Sequence, residues 1–147
     1  MRTWTTQTTV AGLPDEVLAL LTEPDAIACW TPVPFELIDL DTSRLVAGSR
    51  ARIRGRLAGR TLEFDVEVLA ANDERLALIA TGPISIDVEY ALRPAVGGSA
   101  LRASVSVRGS GLMGRVLAQA TDALLAAGAL DLAVSRIGRQ LKPALAA

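Results

Sequence analysis

Residues 50–69 read RARIRGRLAGRTLEFDVEVL, and their reading decides the fold. Two alternating runs flank Ala58-Gly59, a pair suited to a two-residue hairpin loop. With that loop, Leu57 stands opposite Arg60. One face of the ribbon then pairs Gly55 with Leu62, Ile53 with Phe64 and Ala51 with Val66. The other pairs Arg54 with Glu63, Arg52 with Asp65 and Arg50 with Glu67. A slip of one residue would destroy both sets at once, so the pattern specifies its own register. The ribbon has an apolar face for a core and a charged face for water. The same register bears on function. Arg50, Arg52, Arg54 and Arg56 look like a stripe for anions or RNA, but the first three each face a carboxylate across the ladder. They read as a solvated, ion-paired outer face, worth ~0–1 kcal/mol per pair.

Working outward, residues 3–10 alternate and are rich in β-branched side chains, as in a strand. Pro14 suits the first position of a helix, and Asp15 and Glu16 suit its positive end. Val17, Leu18, Leu20 and Leu21 give that helix its apolar side. Pro24-Asp25 opens a second short helix that ends near Cys29-Trp30. Thr31-Pro32-Val33-Pro34 is then extended, since each proline pushes its predecessor out of the helical region. Residues 35–108 read as a series of strands. Residues 75–81 are apolar on both faces, so their register stays open. Ile84, Ile86, Val88, Tyr90 and Leu92 share one face of the next strand, and residues 94–99 form a longer turn. Leu101, Ala103, Val105 and Val107 alternate with polar residues in the strand that follows. Such strands form an antiparallel meander with one buried face.

Ser110 is a suitable N-cap for the last element. Residues 112–141 read as one helix of ~45 Å, ended by Pro143. Its polar stripe is Arg115, Gln119, Asp122, Ala126, Ala133, Arg136 and Gln140. The opposite stripe is Leu117, Ala120, Leu124, Gly128, Asp131, Ser135 and Gly138, bulky at first and then small and polar.

Composition excludes whole classes of chemistry. The chain has 147 residues, the size of one domain, expected to span 1–147. Half of them are hydrophobic but only 3% are aromatic, so the core is built from Ala, Val, Leu and Ile. There is no histidine, and Cys29 is the only cysteine. Histidine-based triads, His-ligated zinc or haem and thiolate clusters are thereby excluded, and no metal or cofactor is expected. Cys29 reads as a small buried hydrophobe. A net charge of -1 argues against a nucleic-acid partner. The N-terminus lacks the apolar run of a signal peptide. The longest apolar stretch, 123–134, contains Asp131 and falls short of the ~20 residues that span a bilayer. A cytoplasmic protein without a membrane span is the expectation.

The order is strand, two short helices, a long meander and one C-terminal helix. It resembles the helix-grip fold of the SRPBCC (START-like) superfamily, which includes birch-pollen-allergen-like and polyketide cyclase/dehydrase-like proteins. The motif around Gly12-Leu13-Pro14-Asp15-Glu16, then Pro24-Asp25 and Trp30, is similar to the helix pair of its bacterial members. Val88-Glu89-Tyr90-Ala91-Leu92-Arg93-Pro94 with Gly97-Gly98-Ser99 is similar to their penultimate hairpin. Leu13 departs from the pattern, which places a capping Ser or Thr there. The resemblance implies an α+β fold in which a curved antiparallel sheet wraps a long C-terminal helix around an apolar cavity. It implies a binder or carrier of a small apolar molecule, as a monomer or homodimer. The alternatives are an aromatase/cyclase-type enzyme using Tyr90 and carboxylates, and an interaction subunit with a closed cavity. Trp30, at the cavity mouth or as a core anchor between the helices and the sheet edge, and Phe64, Tyr90, Leu124, Asp131 and Ser135 are the candidate ligand-binding residues. The hydroxyl of Tyr90 needs a partner, from a ligand, a backbone carbonyl or the C-terminal helix. Asp131 on the inner stripe needs a partner too, with Tyr90 or an arginine as candidates, or else water.

Overall fold

A computed structural model describes residues 2–31, 35–57 and 59–141. The expected extended stretch at Pro32–Pro34, Ala58 of the hairpin loop and the stop at Pro143 lie outside them. β1 (Arg2–Val10) leads into α1 (Pro14–Thr22) and α2 (Pro24–Trp30). The strands β2 (Phe35–Leu40), β3 (Arg50–Leu57), β4 (Arg60–Ala71), β5 (Arg75–Thr81), β6 (Ser85–Ala95) and β7 (Gly98–Arg108) follow. The chain continues as α3 (Gly111–Ala126) and α4 (Ala129–Leu141). All seven strands form one antiparallel sheet in the order β1-β7-β6-β5-β4-β3-β2. The sheet is a meander whose last strand returns to pair with the first.

The hairpin β3–β4 has the register deduced from the sequence, from Arg50 opposite Glu67 to Leu57 opposite Arg60. Arg50, Arg52 and Arg54 reach Glu67, Asp65 and Glu63 at 3.8, 3.3 and 3.7 Å on the outer face. Arg54 also reaches Glu36 of β2 at 3.5 Å. The inner face of β4 alternates without a break: Leu62, Phe64, Val66, Val68 and Ala70 are buried. Strand β5 was ambiguous in sequence because Leu76, Ala77 and Ala80 are buried on both of its faces. The turn between β6 and β7 is tighter than expected, with only Val96-Gly97 between the strands.

At α1, Leu13 has no side-chain oxygen to offer as a cap. Instead the Glu16 carboxylate accepts the Leu13 N–H at 3.1 Å, one half of a capping box. Ser110 precedes α3 in extended backbone but makes no side-chain cap.

The C-terminal segment corrects the sequence reading. It is two helices bent by 51°, not one. The cause is Gly128, held at φ +99, a left-handed conformation that costs other residues roughly 1–2 kcal/mol. Its N–H donates to the Leu125 carbonyl, closing α3, and its own carbonyl accepts the Leu132 N–H, opening α4. Ending one turn and starting another shifts the buried face by one residue, about 100° of helix rotation. The inner stripe therefore becomes Leu130, Ala133, Val134 and Ile137. Ala133, assigned to the polar stripe, is buried, whereas Asp131 and Ser135, assigned to the inner one, are exposed. No single helix is long and apolar enough to cross a membrane; α3 and α4 together reach that length only across the bend.

Candidate functional site: an apolar cavity between sheet and helices

The concave face of the sheet and the helices enclose an open cavity of about 360 Å³. That is the small end of the ~300–1,000 Å³ range of ligand pockets. Its wall follows from the alternation already described. Ala51 and Ile53 of β3, Phe64 and Val66 of β4, and Leu76, Leu78 and Ala80 of β5 project into it. Ile86, Val88 and Tyr90 of β6 and Val105 of β7 continue the wall. The helices add Leu21, Ile27 and Trp30 on one side, and Thr121, Leu124, Leu125, Leu130 and Ala133 on the other.

Exposure separates a mouth from a floor. Leu37 on edge strand β2, Arg56 at the end of β3 and Leu124 on α3 are the exposed lining residues. The opening therefore lies between α3 and the β2–β3 edge. At the other end Leu21, Trp30, Leu45, Leu76, Tyr90, Leu130 and Ala133 are all buried. Through the ladder, Tyr90 pairs with Leu76 and Leu76 with Ala71, while Arg56 pairs with Thr61. Thr61 and Ala71 are nearly the two ends of the 12-residue β4. Floor and mouth therefore lie toward opposite ends of β4. The cavity is elongated.

The floor is held by a few directed contacts. Trp30 donates its indole N–H to the Leu20 carbonyl at 2.7 Å. Its ring meets Tyr90 edge-on, with centroids 5.7 Å apart and planes at 76°, a favoured aromatic geometry. Arg136 of α4 donates to the Thr31 carbonyl at 2.9 Å and so ties α4 to the end of α2. Leu45 is brought to the wall by its loop, where its N–H donates to the Thr22 carbonyl and Arg44 donates to the Thr22 hydroxyl.

Tyr90 is only 5% exposed, and burial pushes its phenol well above the usual tyrosine range. Among the described residues no hydrogen-bond partner reaches its hydroxyl. Besides Tyr90, the polar lining residues are Thr31, Thr121 and Arg56. Thr121 already donates to the Leu117 carbonyl at 3.0 Å. No Asp or Glu lines the cavity among the described residues.

Of the residues singled out in the sequence, Trp30, Phe64, Tyr90 and Leu124 lie together on this wall. Trp30 sits at the buried floor and not at the mouth. Asp131 and Ser135 are exposed on the far side of α4 and line nothing. The bend at Gly128 turned them away, and with them went the proposed Asp131–Tyr90 pair. The signal was legible: Leu130, Val134, Ile137 and Leu141 recur at helical spacing, one residue out of phase with Leu117 and Leu124. Asp122, placed on the polar stripe, is instead half-buried and accepts the Trp4 indole N–H at 3.0 Å. Cys29, expected to be buried, is exposed at the end of α2.

Comparison with solved structures fits this architecture. Protein CV1439 from Chromobacterium violaceum superposes with a TM-score of 0.74 at 15% identity, covering 97% of this chain and 99% of its own. Ara h 8.0201 gives a TM-score of 0.61 at 14% identity, over 92% and 97% of the two chains. The fold is the helix-grip fold. DynU16, encoded in the dynemicin biosynthetic locus, has 23% identity and a TM-score of 0.60, covering 95% of this chain and 46% of its own. Neither a family model nor a curated protein sequence matches the chain. At these identities the likeness establishes the fold alone, and the helix-grip cavity here carries its own set of side chains.

Proposed function

We propose that this protein binds a small apolar molecule noncovalently in the cavity, as a member of the SRPBCC superfamily. The observation that carries the reading is the cavity itself: about 360 Å³, open at one end, walled almost wholly by aliphatic side chains. Apolar walls supply affinity through area removed from water, roughly 25 cal/mol per Å² before the costs of association. An open cavity of this size does not suit the reading in which the interior is closed and only the outer surface matters. Carriage between partners suits such a site, because no carboxylate, histidine or cysteine is among its described lining residues.

The aromatase/cyclase alternative requires a base near the reacting carbon. With no histidine in the chain and no carboxylate among the described lining residues, only the Tyr90 phenol is placed to move a proton. Its raised pKa makes it a poor acid at neutral pH. The DynU16 locus supports a biosynthetic setting for that neighbour and leaves this wall without a base.

The test is occupancy. Native mass spectrometry of freshly purified protein should reveal a co-purified apolar ligand, and the neutral dye N-phenyl-1-naphthylamine should bind and fluoresce. Ala80→Trp, which fills the cavity from β5, should abolish both. Dye binding that survives Ala80→Trp in a folded variant, or the absence of binding by wild type, would refute the reading.

A further inference from the structure

At the buried floor of the cavity, among the described residues, the Tyr90 hydroxyl is a polar group that the fold leaves unused. Tyr90 is 95% buried, lies on the wall, and has no hydrogen-bond partner among the described residues. Asp87 Oδ1 is the sealed and unpartnered side-chain atom among the described residues; the Tyr90 hydroxyl instead faces the open space of the cavity, where an acceptor that enters can reach it. The neighbour that could have satisfied it is already committed: the Trp30 indole N–H goes to the Leu20 carbonyl, and Trp30 presents only its ring to Tyr90. The edge-on contact also fixes the phenol ring in place. A phenol would have been a phenylalanine at no loss of packing. The hydroxyl is therefore explained by something that enters the cavity.

We infer that the ligand is an uncharged, largely aliphatic molecule carrying one oxygen acceptor, a carbonyl or an ether, alcohol or ester oxygen, which takes the Tyr90 hydroxyl proton in a hydrogen bond at the floor. This rests on the proposed binding function and names the class of ligand. Charge is excluded at the floor by the same wall. Trp30, Leu76, Leu130 and Ala133 offer no counter-charge, and an unpaired carboxylate there would be strongly disfavoured. Among the described lining residues the charged one is Arg56, and it stands at the mouth. Size follows from volume. At the ~30 Å³ a water occupies in the liquid, taken as the share of one non-hydrogen atom, the cavity holds about twelve such atoms. The ligand enters polar end first, and its hydrocarbon lies along the aliphatic wall.

The experiment compares 2-nonanone, nonane and nonanoate as competitors of N-phenyl-1-naphthylamine, in wild type and Tyr90→Phe. One net hydrogen bond corresponds to about three- to tenfold in affinity. The ketone should lose that factor in Tyr90→Phe, nonane should bind both proteins alike, and nonanoate should be the weakest competitor of wild type. The infrared carbonyl stretch of bound 2-nonanone should sit at a hydrogen-bonded frequency in wild type and at its alkane-like frequency in the variant. The wild-type spectrum alone keeps the inference falsifiable if Tyr90→Phe fails to fold. An alkane-like carbonyl in wild type, equal ketone affinity in both proteins, or nonanoate as the tightest competitor would overturn the inference and leave the binding function standing. Failure of the dye and all three competitors to bind would overturn both.

Discussion

Alkaline pH isolates Tyr90 unusually well. It is the only tyrosine in the chain, and every other group that titrates at alkaline pH is common to wild type and Tyr90→Phe. Burial raises the phenol pKa in the folded state, while the unfolded phenol keeps its value near 10. Below about pH 10 the phenol is neutral in both states, and the folded state is at its full stability with respect to this group. Above it the unfolded state releases a proton that the folded state retains. Stability then falls by about 1.4 kcal/mol per pH unit, about 3 kcal/mol by pH ~12. Urea midpoints between about pH 8 and about pH 12 should show that fall in wild type and not in Tyr90→Phe. Phenolate absorbance should appear only with unfolding. At neutral pH, Tyr90→Phe should change stability by less than about 0.5 kcal/mol or raise it, because no protein hydrogen bond is lost. A phenolate signal near pH 10 in folded protein, or the same alkaline slope in both proteins, would show that the phenol is not sealed in an apolar floor.

Other expectations test the frame around the cavity. Gly128→Ala should destabilise by roughly 1–2 kcal/mol in urea, since alanine is strained at φ +99. An unchanged midpoint would mean that the two helices do not need this bend. A double-mutant cycle on Arg52 and Asp65, both well exposed at 3.3 Å, should give a coupling below about 1 kcal/mol that shrinks further in salt. Cys29, exposed on α2, should react with a thiol reagent in the folded protein at close to the rate seen in urea; protection of tenfold or more would contradict its placement. Leu130→Ala, at the buried floor, should cost about 2–5 kcal/mol, measured by the same unfolding assay.

The sheet was legible because its signals are local and redundant. In β3–β4 every residue has a chemically suitable partner, so one assumed turn fixed eight pairs. In β6 and β7 strict alternation was enough. The helical segment was not legible to the same degree, because helix phase carries no such check. Alanine and leucine continue across residue 128, and no polar side chain falls between Asp122 and Asp131. The break depends on one backbone angle at Gly128, and a glycine within a helical pattern reads equally as a close contact. The error then spread, since every residue after the bend inherits the phase: Asp131, Ser135 and Ala133 were all misplaced by the same step.

The consequence for the site is that the bend decides what the floor is made of. On a straight helix, Gly128, Asp131 and Ser135 would face the sheet, and the cavity would have a carboxylate within the reach of a catalytic or ion-paired ligand. With the bend, Leu130, Ala133 and Val134 turn inward, and Arg136 swings from the solvent stripe to hold the end of α2 at Thr31. The tie keeps Trp30 against Tyr90. The same glycine thus keeps the Asp131 carboxylate out of the cavity and helps to place the Tyr90 hydroxyl at its floor. Among the described lining residues this phenol can select by hydrogen bonding, with the Thr121 hydroxyl already given to the Leu117 carbonyl and no carboxylate beside it.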